Sequence, residues 1–90
     1  MENDTIFVGK KPIMAYVVAV LTHVNSGHDF VLLKARGSMI SKAGDISQII
    51  KRKFSKDLKV GNIEIGTEEI ISEGDVKKRN VSYISIEMKR

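Results

Sequence analysis

The sequence predicts a two-layer α/β fold, with two helices packed on a four-stranded mixed sheet in the order β-α-β-α-β-β. Three observations carry that prediction. Long apolar or helically spaced segments begin near residues 13 and 41. Short β-prone or alternating runs surround them. The chain has 90 residues, 42% of them hydrophobic, which is enough for one core and too few for two.

Each element follows from local chemistry. Thr5 to Val8 is a short β-prone run closed by Gly9. Pro12 suits the first position of a helix, where its missing N–H costs nothing. Ile13 to Val24 is apolar on nearly every side and stops at Asn25-Ser26-Gly27. Val17, Val18 and Val20 would also suit a strand, but length and end signals favour a helix. Phe30 to Ala35 is a strand, apolar on both faces at its start, as expected at the centre of a sheet. Ser41 is placed to cap a second helix, in which Ile46, Ile49, Ile50 and Phe54 recur at helical spacing. Leu58 to Ile71 alternates as a long strand whose parity changes at Gly61-Asn62, the mark of a bulge. Ser72 to Asn80 is polar and reads as a loop of about nine residues, long for a hairpin, and Val81 to Met88 is the last strand. Right-handed crossovers put both helices on one face of the sheet when the intervening strands stack in one direction. Residues 1–90 therefore read as a single domain.

Composition narrows the function. Without cysteine there is no disulfide scaffold, thiolate chemistry or Cys-based zinc site. No apolar run approaches the ~18 residues of a membrane span, and no signal peptide opens the chain. The expectation is a cytoplasmic protein with no membrane partner. His23 and His28 are five apart, but the second follows the glycine that ends the helix. They read as a helix-end and a surface histidine, not as metal ligands. Glu68 and Glu69 are adjacent on a strand and point to opposite faces, so they form no carboxylate dyad. No Gly-x-Ser-x-Gly elbow or phosphate-binding P-loop is present. With no catalytic constellation, cofactor or metal set in view, the chain is not expected to be an enzyme.

Charge is the stronger signal. The net charge is +4, and it is sorted along the chain. Lys34 to Lys56 holds seven basic residues against Asp45, Gly61 to Val76 five acids and no base, and Lys77 to Arg90 five bases against Glu87. Such sorting suggests one surface that faces a polyanion. Lys10 and Lys11 stand at a strand-to-helix junction, beside the positive end of a helix dipole, where an external anion would compensate them. Arg36 and Lys42 flank the second such junction. Junctions of parallel strands lie at one edge of a sheet, so Lys10, Lys11, Arg36 and Lys42 can share a surface. Lys51, Arg52 and Lys53 fall near a helix C-terminus, where cations simply offset the dipole. Lys77, Lys78 and Arg79 lie near the far end of the long loop, which makes them a basic arm.

These residues resemble the Alba family of archaeal chromatin proteins. The resemblance rests on Ile6-Phe7-Val8-Gly9-Lys10-Lys11-Pro12 with Met14, Tyr16 and Val17, then Lys34-Ala35-Arg36-Gly37 with Ile40-Ser41-Lys42-Ala43 and Asp45, and Ile65-Gly66-Thr67-Glu68. It implies a homodimer, or a heterodimer with a paralogue, that coats and condenses double-stranded DNA in the nucleoid and also binds RNA, without strong sequence preference. It also implies that Lys10 and Lys11 meet nucleic acid near the dimer centre, with Arg36 on the same surface. Lys77, Lys78 and Arg79 would form an arm along the minor groove. Phe54 would mediate dimer–dimer association, and Lys10 would be an acetylation site. Ser38 stands where many members carry Arg or Asn, and Glu73 and Asp75 flank the arm's base. Two other readings use the same residues: an RNA-binding ribonucleoprotein component, and a module whose basic patch meets an acidic protein.

Overall fold

A computed structural model describes residues 4–71, 74 and 78–90. The elements are β1 (Thr5–Phe7), α1 (Ile13–Asn25), β2 (Phe30–Arg36), α2 (Ile40–Ile49), β3 (Lys59–Ile71) and β4 (Lys78–Lys89), in the expected order. The sheet runs β1-β2-β4-β3, with β1 and β2 parallel and the other two neighbouring pairs antiparallel.

The inner strands explain the core. Along β2, Val31, Leu33 and Ala35 are buried while Leu32 and Lys34 between them are not, the period-two signature of a sheet with one covered face. Across the register Val31 faces Met88 and Leu33 faces Ile86, both also buried. Onto this row pack Val17, Val20 and Val24 of α1, Ala43 and Ile46 of α2, and Ile50 and Leu58 beyond it. Both helices therefore cover the same face. Each fully buried aliphatic side chain contributes roughly 1.5–3 kcal/mol of transfer free energy. The helical alternative holds for residues 13–24: Tyr16, Val17, Val20 and Val24 are buried at helical spacing.

Four boundaries differ from expectation. Helix α1 starts at Ile13, with Pro12 extended before it (φ −58°, ψ 149°), so the proline sits at the cap position. Ser41 caps nothing. A 3₁₀ turn over Gly37–Met39 runs directly into α2, and Ile40 N–H donates to Gly37 O, so the chain is already helical when α2 begins. After Ile49 the helix widens into a π-type turn over Ile50–Phe54, closed by Ser55 N–H donating to Ile50 O at 2.9 Å. The last strand begins at Lys78, three residues before Val81, because Lys78, Arg79 and Asn80 pair with Ile71, Ile70 and Glu69. The bulge lies where the parity change puts it, between Val60 and Ile63, and Glu87 Oε1 accepts from Asn62 N–H there at 3.1 Å.

Candidate nucleic-acid interface

Topology gathers the basic segments at one end of the sheet. Because β1 and β2 are parallel, the Gly9–Pro12 loop and Arg36 leave the sheet at the same edge. Strand β4 runs the other way, and its last pairing with β2 is Arg36 with Tyr83. Beyond that rung only β3 and β4 continue, pairing from Thr67–Ser82 to Ile71–Lys78 as a two-stranded ribbon. At ~3.4 Å per residue this ribbon projects about 17 Å past the four-stranded part.

The loop that carries Lys10 and Lys11 is held from behind. Tyr16, buried on α1, accepts hydrogen bonds through its hydroxyl from Gly9 N–H (2.8 Å) and Lys11 N–H (3.2 Å). Lys42 of α2 donates its ammonium to Gly9 O at 2.6 Å and also to Lys11 O, and lies 5.3 Å from the Tyr16 ring centroid. Two donors and two acceptors of the loop backbone are thereby satisfied, and the Lys10 and Lys11 side chains are left facing solvent. Sequence reasoning placed Lys42 on the same surface as Lys10 and Lys11, and it is beside them. Its ammonium is occupied by carbonyls, so it shapes the loop. Tyr16 is the residue that sequence reasoning gave no role. An aromatic hydroxyl four residues after Pro12, one helical turn in, is the available signal.

Arg36 is exposed at the end of β2, and its Nε lies 2.9 Å from Glu68 Oε2. The two side chains are 62% and 39% exposed, so the pair is worth at most about 1 kcal/mol. Arg36, Glu68, Phe7, Lys34 and Tyr83 line a cleft on the face of the sheet that the helices leave open. Its floor at β3 depends on Gly66, where a Cβ would fall 2.6 Å from the Tyr83 hydroxyl. On the ribbon, Lys78 Nζ is 3.4 Å from Glu69 Oε1, and Arg79 is exposed. Lys78 and Arg79 are thus strand residues of a paired ribbon, a correction to the nine-residue loop. The expectation for Lys77, and the acids Glu73 and Asp75, lie outside the described residues.

Other basic residues are elsewhere. Lys51, Arg52, Lys53 and Phe54 sit in the turn after α2, and all are exposed. Because α2 runs away from the Arg36 edge, they lie toward the opposite end. That end also holds His23 and His28, which the glycine turn does not separate. Their rings stack, and both approach Asp4.

The Alba family model matches residues 4–67. The chain is 45% identical over 89 residues to the DNA/RNA-binding protein Alba of Methanocella arvoryzae, covering 99% of this chain and 92% of that one. It is 48% identical over 86 residues to DNA/RNA-binding protein Alba 1 of Archaeoglobus fulgidus, covering 96% and 94%. The structure of Alba from Thermoplasma volcanium superposes with a TM-score of 0.88 at 44% identity, over 96% of this chain and 99% of that chain. These relatives are named as binding proteins, in line with the expectation that the chain is not an enzyme. Fold, motif positions and relatives agree: this chain belongs to the Alba family.

Proposed function

We propose that the chain binds double-stranded DNA, and RNA through the same surface, by neutralising phosphates without reading base sequence. One observation carries this reading: a braced loop presents Lys10 and Lys11 at the same end of the sheet as Arg36 and the ribbon bearing Lys78 and Arg79. The names of the relatives, DNA/RNA-binding protein, point to the polymer. The exposed residues of α2 include Ser41, Asp45 and Gln48, which is not a base-reading row. Lys42 adds positive potential but is not counted as a phosphate contact.

The binding unit in this reading is a homodimer, or a heterodimer with a paralogue. Strand β3 is an edge of the sheet and leaves Ile63 57% and Ile65 73% exposed, on the side shared with Ile86 and Ile84. An apolar strip continuous with the core supports burial against a second copy. Two copies would join their loops into a central platform with a ribbon on each side. Dimers would then coat and condense DNA in the nucleoid, meeting one another through the exposed Phe54. Acetylation of the exposed Lys10 would remove one phosphate-facing charge per subunit and weaken binding. A ribonucleoprotein role is the second reading, favoured by the RNA in the relatives' names.

The test is a fluorescence titration with a non-specific duplex of about 30 base pairs at several salt concentrations. If about six to eight phosphates are neutralised, log affinity falls against log salt with a slope of roughly −5 to −7. Absence of binding at low salt contradicts the DNA reading. Competition by an RNA duplex is expected from a shared surface, and RNA binding much tighter than DNA moves the assignment to RNA.

A further inference from the structure

The end of the sheet remote from Lys10 and Lys11 carries a side-chain cluster that nucleic-acid binding does not use. Asp4 lies immediately before β1, His23 in the last turn of α1, and His28 two residues before β2. His23 Nε2 is 2.8 Å from Asp4 Oδ1, and His28 Nδ1 is 3.3 Å from the same oxygen. All three ligand-type atoms lie within 4.8 Å of one another. The two imidazoles are stacked, with centroids 4.1 Å apart and planes 15° apart.

We propose that Asp4, His23 and His28 bind a divalent transition-metal ion, zinc foremost, through one carboxylate oxygen and two imidazole nitrogens. Two nitrogens and one oxygen are a donor set that zinc accepts, with a fourth position left to water. Donors held about 2.0–2.2 Å from a tetrahedral ion lie about 3.3–3.6 Å from each other. One pair here has that spacing and another is 2.8 Å apart, so entry of the ion requires a small spreading and a turn of one ring, without rebuilding the backbone.

The stack states what must move. An ion lies in the plane of each imidazole that binds it, and two nearly parallel rings cannot share one. His28 is the ring free to turn: its side chain is 46% exposed, against 14% for His23. It follows Gly27, whose φ of +99° sets the turn out of α1. In the bound state each neutral ring keeps its proton on the nitrogen that does not face the ion. The ion then clips the lead into β1 to the α1–β2 turn. The 13 residues of α1, about 20 Å of helix, separate it from the Lys11 loop. Zinc should therefore change stability and leave nucleic-acid affinity unchanged.

The experiment is a calorimetric titration of the metal-stripped full chain with zinc chloride, beside His28→Ala and Asp4→Asn, followed by thermal melts with and without zinc. The expected result is one zinc per chain, bound at least tenfold more weakly by both variants. At free zinc of about five times the dissociation constant, the wild-type midpoint rises by roughly 4–8 °C, while that of His28→Ala moves far less. Cobalt(II) in place of zinc should give the intense visible bands of a four-coordinate site. His28 is an exposed turn residue, so its variant keeps the fold, and an unchanged metal-free melt verifies that. Zinc binding equally tight in His28→Ala, or none at about 1 mM zinc, overturns the proposal.

Discussion

The Gly9–Pro12 loop and the Asp4–His23–His28 cluster, at opposite ends of the sheet, treat charge in opposite ways. At the Lys10 end, the polar groups that hold the structure are backbone N–H and C=O groups, met by the Tyr16 hydroxyl and the Lys42 ammonium. The side chains of Lys10 and Lys11 are left over and face water. At the His23 end the side chains answer one another: two histidines converge on one aspartate. The Arg90 guanidinium also turns inward there, to Val24 O at 3.0 Å. A loop fixed through its backbone presents its cations to an external anion at little ordering cost. A cluster satisfied through its side chains offers a polyanion nothing, but it can hold a small cation. Arg36 lies between these cases, at the binding end yet already paired with Glu68.

The comparison can be broken by substitution, and the largest effect is expected at Lys10 and Lys11. In a dimer, Lys10→Ala/Lys11→Ala removes four phosphate contacts. The salt slope should become shallower by about 3–4 units and duplex affinity should fall by roughly 100-fold at moderate salt. The melting temperature should stay within a degree or two, because both side chains are exposed. Tyr16→Phe should instead lower stability and leave the salt slope alone. It leaves the Gly9 and Lys11 N–H groups without their acceptor, costs about 1–3 kcal/mol of stability by denaturant melt, and weakens duplex binding with the salt slope unchanged. Lys42→Met sharpens the distinction between clamp and contact. A clamp predicts several-fold weaker binding with the slope altered by less than about half a unit, whereas a phosphate contact predicts a slope shallower by nearly two per dimer. The smallest effect is expected for Glu68→Gln. Releasing Arg36 from an exposed pair should strengthen duplex binding by about two- to fivefold, measured in the same titration.

The parts of this arrangement that depend on local sequence were legible. The β-α-β-α-β-β order follows from turn signals and periodicity, and the Gly61-Asn62 bulge from a single change of parity. The shared edge of the Gly9 loop and Arg36 follows from parallel strands alone. What escaped depends on residues distant in sequence. Lys42 reaches Gly9 O across 33 positions, so nothing near Lys42 reveals that its charge is used inside the fold. Lys78 and Arg79 read as loop because their run is polar. They are strand residues because β3 lies beside them, and cross-strand pairing overrides composition. The Asp4–His23–His28 cluster was illegible for a similar reason: the two histidines read as separated by a glycine, and Asp4 lies 19 positions from His23. The glycine that ends α1 turns the chain back on itself and brings the two rings face to face.

The central claim is that nucleic acid meets the end of the sheet where the braced Gly9–Pro12 loop presents Lys10 and Lys11 to solvent. Amide chemical-shift mapping by NMR during titration with a non-specific duplex too short to hold two dimers tests it directly. The account predicts the largest shifts at Gly9, Lys10 and Lys11, around Arg36 to Ser38, and along Lys78 to Asn80, with His23, His28 and the Lys51–Phe54 turn nearly silent. Shifts concentrated at the Lys51–Phe54 turn and around Arg90, with the Gly9 loop unmoved, would contradict it.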